Sequence, residues 1–171
     1  MTRIYTLVNQ KGGVGKTTTA INLAAYLAQM GQHVLVVDLD PQANATSCLG
    51  VDKQTVQGST YDALLNGDVP AASILYNERL QLSLLPSSPS LAGAEIELVE
   101  EAGREFRLRN ALESLDEKYD YILIDCPPSL GILTVNGLIA ARDGVLVPVQ
   151  CEYLALEGLG QLTQTIERVQ S

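Results

Sequence analysis

The stretch Lys11-Gly12-Gly13-Val14-Gly15-Lys16-Thr17-Thr18 constrains this chain more than any other. It follows the β-rich run Ile4-Tyr5-Thr6-Leu7-Val8. It precedes a helical pattern in which Ile21, Leu23, Ala24, Leu27 and Ala28 recur at three- and four-residue spacing, with Gly31 as the stop. A strand that turns through glycines into a helix has a definite chemistry. The glycines let successive backbone N–H groups converge, and the helix start adds the positive end of its dipole, so the turn suits an anion. The ending Gly15-Lys16-Thr17 narrows the anion to phosphate. Lys16 is placed to reach β- and γ-phosphates, and the Thr17 hydroxyl to ligate Mg²⁺. A glycine-rich turn without that ending would say little, because Gly is common in any strand-to-helix loop.

The loop departs from the pattern G-x-x-x-x-G-K-[ST] in two ways. Gln10 stands where the first Gly is expected, and Lys11 adds a second lysine at the front. Two lysines at one anion are costly unless further negative charge meets them. Lys11 therefore reads either as neutralising phosphate on a second bound nucleotide, across a dimer, or as a solvated surface lysine. Two acidic strand ends complete the constellation. Asp125 closes the run Tyr121-Ile122-Leu123-Ile124, at the edge of a sheet where α/β ligands bind, and its natural task is to hold Mg²⁺. Asp38 and Asp40 end the run Val36-Val37-Asp38-Leu39-Asp40-Pro41. Residues two apart on a strand share a face, which aims both carboxylates at the site.

The rest of the chain reads as alternating strands and helices. His33–Asp38 is a near-continuous apolar strand of the kind covered on both faces. Tyr61–Leu65 reads as a short helix closed by Asn66-Gly67-Asp68, and Leu80–Leu85 as a strand. Leu91–Leu115 reads as one long helix or two, with Glu100/Arg104 and Glu105/Arg109 as i,i+4 pairs on its solvated side. Tyr121–Asp125 is a further strand, Leu133–Ala141 a helix, Gly144–Val149 a strand, and Leu159, Leu162, Ile166 and Val169 mark a last amphipathic helix. This order predicts an α/β fold: a mostly parallel sheet with helices on both faces, in a single domain over residues 1–171. The chain stops on a helix with no returning strand, so the fold is either truncated at its C-terminus, the favoured reading, or one that ends on a helix.

Composition excludes several classes. The chain is 46% apolar and 18% charged, so it has material for a core and lacks the signature of disorder. A net charge of -9 argues against coating nucleic acid by bulk charge, though not against a local basic patch. No apolar run approaches the ~20 residues that span a bilayer, and Met1-Thr2-Arg3-Ile4 does not open a signal peptide. Cys48, Cys126 and Cys151 are odd in number and far apart, which fits reduced thiols in a cytoplasmic protein.

The motifs together resemble the deviant Walker-A ATPases, and most closely the ParA/Soj group of chromosome and plasmid partition proteins. Four stretches carry the likeness: Asn9–Thr19, Asp38-Leu39-Asp40-Pro41-Gln42-Ala43-Asn44, Asp125-Cys126-Pro127-Pro128-Ser129-Leu130-Gly131, and Pro148-Val149-Gln150-Cys151-Glu152-Tyr153. The second and fourth favour partition proteins over the MinD division regulators. The resemblance implies a P-loop NTPase-like fold that binds ATP with Mg²⁺. In it, Gly12, Gly13, Val14 and Gly15 belong to the nucleotide-binding loop, with Lys16 on the phosphates, Thr17 as metal ligand and Thr18 at the α-phosphate. Lys11 contacts the nucleotide of the partner subunit in a sandwich homodimer, and a side chain at Gly12 would block that pairing. Asp40 is the switch residue that positions the attacking water, Asp125 the Walker-B carboxylate beside the metal, and Pro127–Gly131 the second switch. Lys11, Lys16, Asp40 and Asp125 are thus the expected catalytic set, and Thr17, Asp40 and Asp125 the expected metal site.

The family's ATP dimer binds non-specific DNA, and a ParB-type partner stimulates slow hydrolysis; the family associates with the nucleoid. The DNA-binding residues belong to a C-terminal part with no counterpart in this chain. Three rivals remain. An ATP-dependent amide-forming synthetase would turn over its own small substrate. An iron-protein electron carrier would need cysteines at a different spacing from Asp125-Cys126. A MinD-like regulator would need a basic amphipathic tail, whereas the last helix, read from Leu159 to Val169, carries only Glu167 and Arg168 as charges.

Overall fold

In the computed structural model, which describes residues 1–151 and 157–170, the apolar runs become strands of one sheet. They are β1 (Arg3–Leu7), β2 (Val34–Asp38), β3 (Leu75–Asn77), β4 (Leu82–Leu85), β5 (Tyr121–Asp125) and β6 (Gly144–Leu146). The order across the sheet is β3-β4-β2-β5-β1-β6, and only the β3–β4 pair is antiparallel. Successive residues of a strand face opposite sides, and both sides are covered. Val34 and Val36 of β2 join Leu7 of β1 and Leu123 of β5 on one side; Leu35 and Val37 join Ile4, Ile122 and Ile124 on the other. That double burial is why these runs carry almost no polar interruption.

On the first side lie α1 (Lys16–Gln29) and α2 (Asn44–Cys48). Ala20, Ala24 and Ala28 form the buried stripe of α1, small enough to bring its axis close to the strands. The second side is packed by α3 (Thr60–Asn66), α4 (Leu91–Glu97), α5 (Arg107–Glu113) and α6 (Ile132–Ala140), with α7 (Glu157–Gln170) laid beside α6. No helix among the described residues is long and apolar enough to cross a membrane.

The predicted α/β architecture is thus present, with differences in detail. The stretch 91–115 is two helices, parted by a turn at Gly103 and a 3-10 turn over Arg104–Phe106. Asn136, fully buried on α6, holds this break: its Oδ1 accepts from Leu108 N–H at 3.0 Å and its Nδ2 donates to the Arg104 carbonyl at 2.9 Å. The break also upsets the expected i,i+4 ion pairs. Among the described residues Arg107 pairs instead with Glu101, at 2.8 Å. The strand expected over Gly144–Val149 ends at Leu146, and α2 and β3 are elements that periodicity did not predict.

Register positions the site. Leu7 and Asp38 both align with Asp125, so β1, β5 and β2 end at one level. The β1–α1–β2 crossover passes over β5. The loops after β1 and β2 therefore diverge around Asp125, which opens the crevice where α/β sheets bind ligands.

Candidate functional site

The turn between β1 and α1 is open. Gly13 and Gly15 have φ of 76° and 92°, the left-handed region that side chains disfavour. A Cβ built on Gly12, Gly13 or Gly15 meets nothing within 4 Å, so the bend is not filled by the protein's own atoms. Gly15 caps α1 without any side-chain hydrogen bond to the helix's first N–H groups. Val14 turns its side chain into the protein, leaving its backbone for the loop. Thr18 is exposed beside it. The loop forms one wall of a cavity of about 440 Å³. Lys16, Thr17 and Thr18 line it from α1, Asp40, Gln42 and Asn44 from beyond β2, and Pro128 from beyond β5.

Lys16 is only 7% exposed, and its Nζ donates to the Lys11 carbonyl at 3.4 Å. Burial lowers its pKa, against the pull of Asp125 and Asp40. A lysine held in this way stays charged against the cost of its burial, a cost that an added anion would offset. Asp125 is the reverse case. It is fully buried, its Oδ2 accepts the Thr17 hydroxyl at 2.6 Å, and its Oδ1 has no hydrogen-bond partner among the described residues. Burial pushes its carboxyl up to about 7; the Thr17 bond and Lys16 oppose the rise, and Asp38 and Asp40 add to it. A buried carboxylate oxygen left without a donor calls for a cation. Among the described residues no three His, Cys, Asp or Glu side chains gather into a metal cage. The Thr17 hydroxyl and Asp125 instead fit Mg²⁺, which binds through one or two protein groups and takes its remaining ligands from phosphate and water.

The structure separates the two aspartates after β2. Asp40 lines the cavity, and its Oδ1 accepts from Gln42 N–H at 2.9 Å. Asp38 does not face the cavity, which corrects the expectation that both carboxylates point at the site. It is fully buried, and its Oδ2 accepts both the Thr46 N–H and the Thr46 hydroxyl, at 2.8 and 2.7 Å. The shared-face argument fails because β2 ends at Asp38, so the alternation of a strand does not extend to Asp40.

Lys11 is exposed at the mouth of the loop, and its N–H donates to Asn9 Oδ1 at 3.0 Å. Asn9 in turn donates to the Pro148 carbonyl at 2.8 Å, and Gln150 Nε2 donates to the Gly13 carbonyl at 3.1 Å. The segment after β6 thus braces the phosphate loop. Sequence reasoning gave Asn9, Gln150, Thr46 and Ser87 no role. An Asn at a strand end that bonds nearby backbone is a detectable signal; the others depend on residues distant in sequence. Cys126 is buried against the Thr6 hydroxyl at 3.1 Å, and burial pushes its thiol up to about 12, so it is a neutral wall residue. Glu152 and Tyr153 lie outside the described residues.

Comparison with known proteins agrees with this geometry. The AAA domain family matches residues 2–171. The chain is 58% identical over 168 residues to the chromosome partitioning protein ParA of Myxococcus xanthus, covering 98% of this chain and 59% of that one. It is 53% identical over 174 residues to the sporulation initiation inhibitor protein Soj of Bacillus subtilis, covering 99% of this chain and 67% of that one. Among solved structures, one named cobyrinic acid a,c-diamide synthase from Mycobacterium smegmatis, with bound ADP and magnesium, superposes with a TM-score of 0.95 at 48% identity. That match covers 99% of this chain and 69% of the other. The chain therefore spans roughly three fifths to two thirds of the length of these two curated relatives. From the phosphate loop, the Thr17–Asp125 pair and these matches together, the chain belongs to the AAA domain family and, within it, to the ParA/Soj group of partition proteins.

Proposed function

We propose that this chain is the nucleotide-binding part of a ParA/Soj-type ATPase that takes ATP with Mg²⁺ and pairs with a second copy of itself in the ATP state. The observation that carries the reading is the orphaned Asp125 Oδ1 beside the Thr17 hydroxyl, at the foot of an open glycine cradle that ends in a buried lysine. Loop N–H groups and Lys16 bind the phosphates. Thr17 and Asp125 would hold Mg²⁺, and Asp40, which lines the same cavity, is the further candidate for the metal site. The metal, when bound, neutralises charge that develops on the phosphates. Asp40 orients the attacking water, and Lys11 adds positive charge to the partner subunit's nucleotide. Positioning and electrostatics carry the chemistry, as in phosphoryl transfer generally. Hydrolysis is slow until a ParB-type partner engages, and the product is a change of assembly that drives segregation of a chromosome or plasmid. Binding of non-specific DNA belongs to the longer protein.

Two variants test the reading. Lys16→Ala should abolish ATP binding in titration calorimetry, and unchanged affinity refutes the cradle. Asp40→Ala should bind ATP and fail to hydrolyse it; hydrolysis at the parental rate refutes the role of Asp40. A second reading, an ATP-dependent amide-forming synthetase, is favoured by the name of the M. smegmatis structure. It predicts turnover that rises with a carboxylate substrate and is indifferent to DNA and to a ParB-type protein.

A further inference from the structure

Asp38 takes no part in the cradle, yet its carboxylate is tied to the segment that carries Asp40. Its Oδ1 accepts the Asp40 N–H at 3.2 Å. Its Oδ2 accepts the N–H and the hydroxyl of Thr46, on α2, at 2.8 and 2.7 Å. Thr46 Oγ1 then accepts the Ser87 N–H at 2.9 Å, from the loop after β4. The Ser87 hydroxyl returns to donate to the Asp40 carbonyl at 2.7 Å. These bonds close a ring that starts and ends on Asp40 and grips its backbone at both the N–H and the C=O. A further strut, the Thr60 hydroxyl, donates to the Asp38 carbonyl at 2.7 Å. Asp38, Thr46 and Ser87 are all fully buried, so water does not compete for these bonds.

A carboxylate is an expensive way to finish a strand whose other residues are all buried and apolar. If the task were only to fasten α2 to the sheet, an apolar contact would serve at lower cost. What the carboxylate adds is direction: two acceptor oxygens, aimed at two different segments, set the orientation of the peptide that follows. We propose that Asp38, Thr46 and Ser87 are positioning residues for Asp40, a buried ring that fixes its backbone so that its carboxylate meets the attacking water. The inference rests on the reading of Asp40 given above. It concerns turnover: among the described residues the ring makes no hydrogen bond to the loop N–H groups, Lys16 or Thr17, and Asp38 meets Asp125 only as its neighbour in the β2–β5 register and through charge.

Thr46→Val keeps shape and the Thr46 N–H while removing the hydroxyl that links Asp38 to Ser87. In single-turnover hydrolysis with protein in excess over ATP and Mg²⁺, this variant should be slowed roughly ten- to a hundredfold, the usual consequence of a small misplacement at a reacting centre. Its affinity for a fluorescent ATP should equal the parent's. Thr46→Ser, which keeps the hydroxyl, should restore the rate. Ser87→Ala, which removes only the bond to the Asp40 carbonyl, should be slowed with affinity intact, and it decides the matter if Thr46→Val fails to fold. A merely structural ring would lower stability, affinity and rate together, and that pattern overturns the proposal. So does Thr46→Val or Ser87→Ala turning over at the parental rate while Asp40→Ala is inactive. Asp40→Ala at the parental rate, or a parent that releases no phosphate, is a different failure: it removes the reading of the site itself.

Discussion

At the scale of single residues, the glycines of the phosphate loop differ in what they demand. Gly13 sits at φ 76° with nothing within 4 Å of a built Cβ, so Gly13→Ala meets strain of the backbone alone. It should destabilise the chain by roughly 1–2 kcal/mol, the cost of forcing an L-residue into the left-handed region, readable in urea denaturation. Gly12 has the same empty surroundings and no left-handed backbone. Gly12→Val should therefore leave monomer stability within about 0.5 kcal/mol of the parent, as surface substitutions usually do. On the proposed ATP-state pairing it should nonetheless abolish association in sedimentation, because a side chain at this open position would meet the second copy. A Gly12→Val protein that still dimerises with ATP removes the face-to-face geometry. The residues that lie in the loop or at a strand's end, Lys16, Thr17 and Asp125, were legible in the sequence because backbone geometry alone brings them together. Asp38 is not legible in the same way, because β2 ends there and its partner, Thr46, stands on a helix that no periodicity announces.

At the scale of elements, α6 shows how closely helix and sheet are fitted behind the site. A Cβ on Gly137 would stand 2.5 Å from Cys126 Sγ, 3.2 Å from Thr6 Oγ1 and 3.3 Å from Leu39 Cδ2. Gly137→Ala gains about 1 kcal/mol of helix propensity, but overpacking a filled core costs typically 1–3 kcal/mol. The Cys126 thiol is bonded to Thr6 and fully buried, so it has no easy retreat, and the packing loss should win. A lower urea midpoint, partly restored by adding Cys126→Ala, is the expected result; additive losses in that double-mutant cycle contradict the contact. The elements that were read correctly in the sequence are those driven by continuous burial or by a glycine stop: β5 matches residue for residue, and α1 ends just before Gly31. The missed ones are short and held from outside. The α2 helix follows Ala43 at φ 53° and is fastened by the Asp38–Thr46 bonds, while β3, among the described residues, pairs with β4 alone, beside an Asn77 side chain that donates to the Leu49 carbonyl. The 91–115 stretch was ambiguous for the same reason, because the bonds of Asn136 to both sides of the break are tertiary.

At the scale of the whole molecule, the buried acids make nucleotide-free stability depend on pH with a definite sign. Burial raises Asp125 to about 7 and Asp38 to about 6, both above the unfolded value of about 3.9. Between those values the native chain holds protons that the unfolded chain has released, so stability falls as pH rises. The contribution is fully present below about pH 4 and is lost as pH climbs through about 6 and about 7. Asp116 has the opposite sign: the Arg142 bond lowers it to about 2, so its contribution is complete above about pH 4 and constant across the window of interest. The melting temperature of the nucleotide-free chain should therefore drop between about pH 4 and about pH 7 and level off above that. Net charge is a competing cause, since a chain at -9 repels itself more as protons leave. Asp125→Asn separates the two. It removes one surplus charge among nine but the whole of the Asp125 ionisation, so it should flatten the curve markedly, whereas general repulsion would leave the slope nearly unchanged. Mg²⁺ with ATP should flatten the parent's curve as well, because a cation at the orphaned Oδ1 favours the ionised carboxylate that burial resists. A parental curve that stays steep with Mg²⁺ and ATP at saturation would place the metal away from Asp125, and a nucleotide-free curve that rises between about pH 4 and about pH 7 would contradict the sign worked out here.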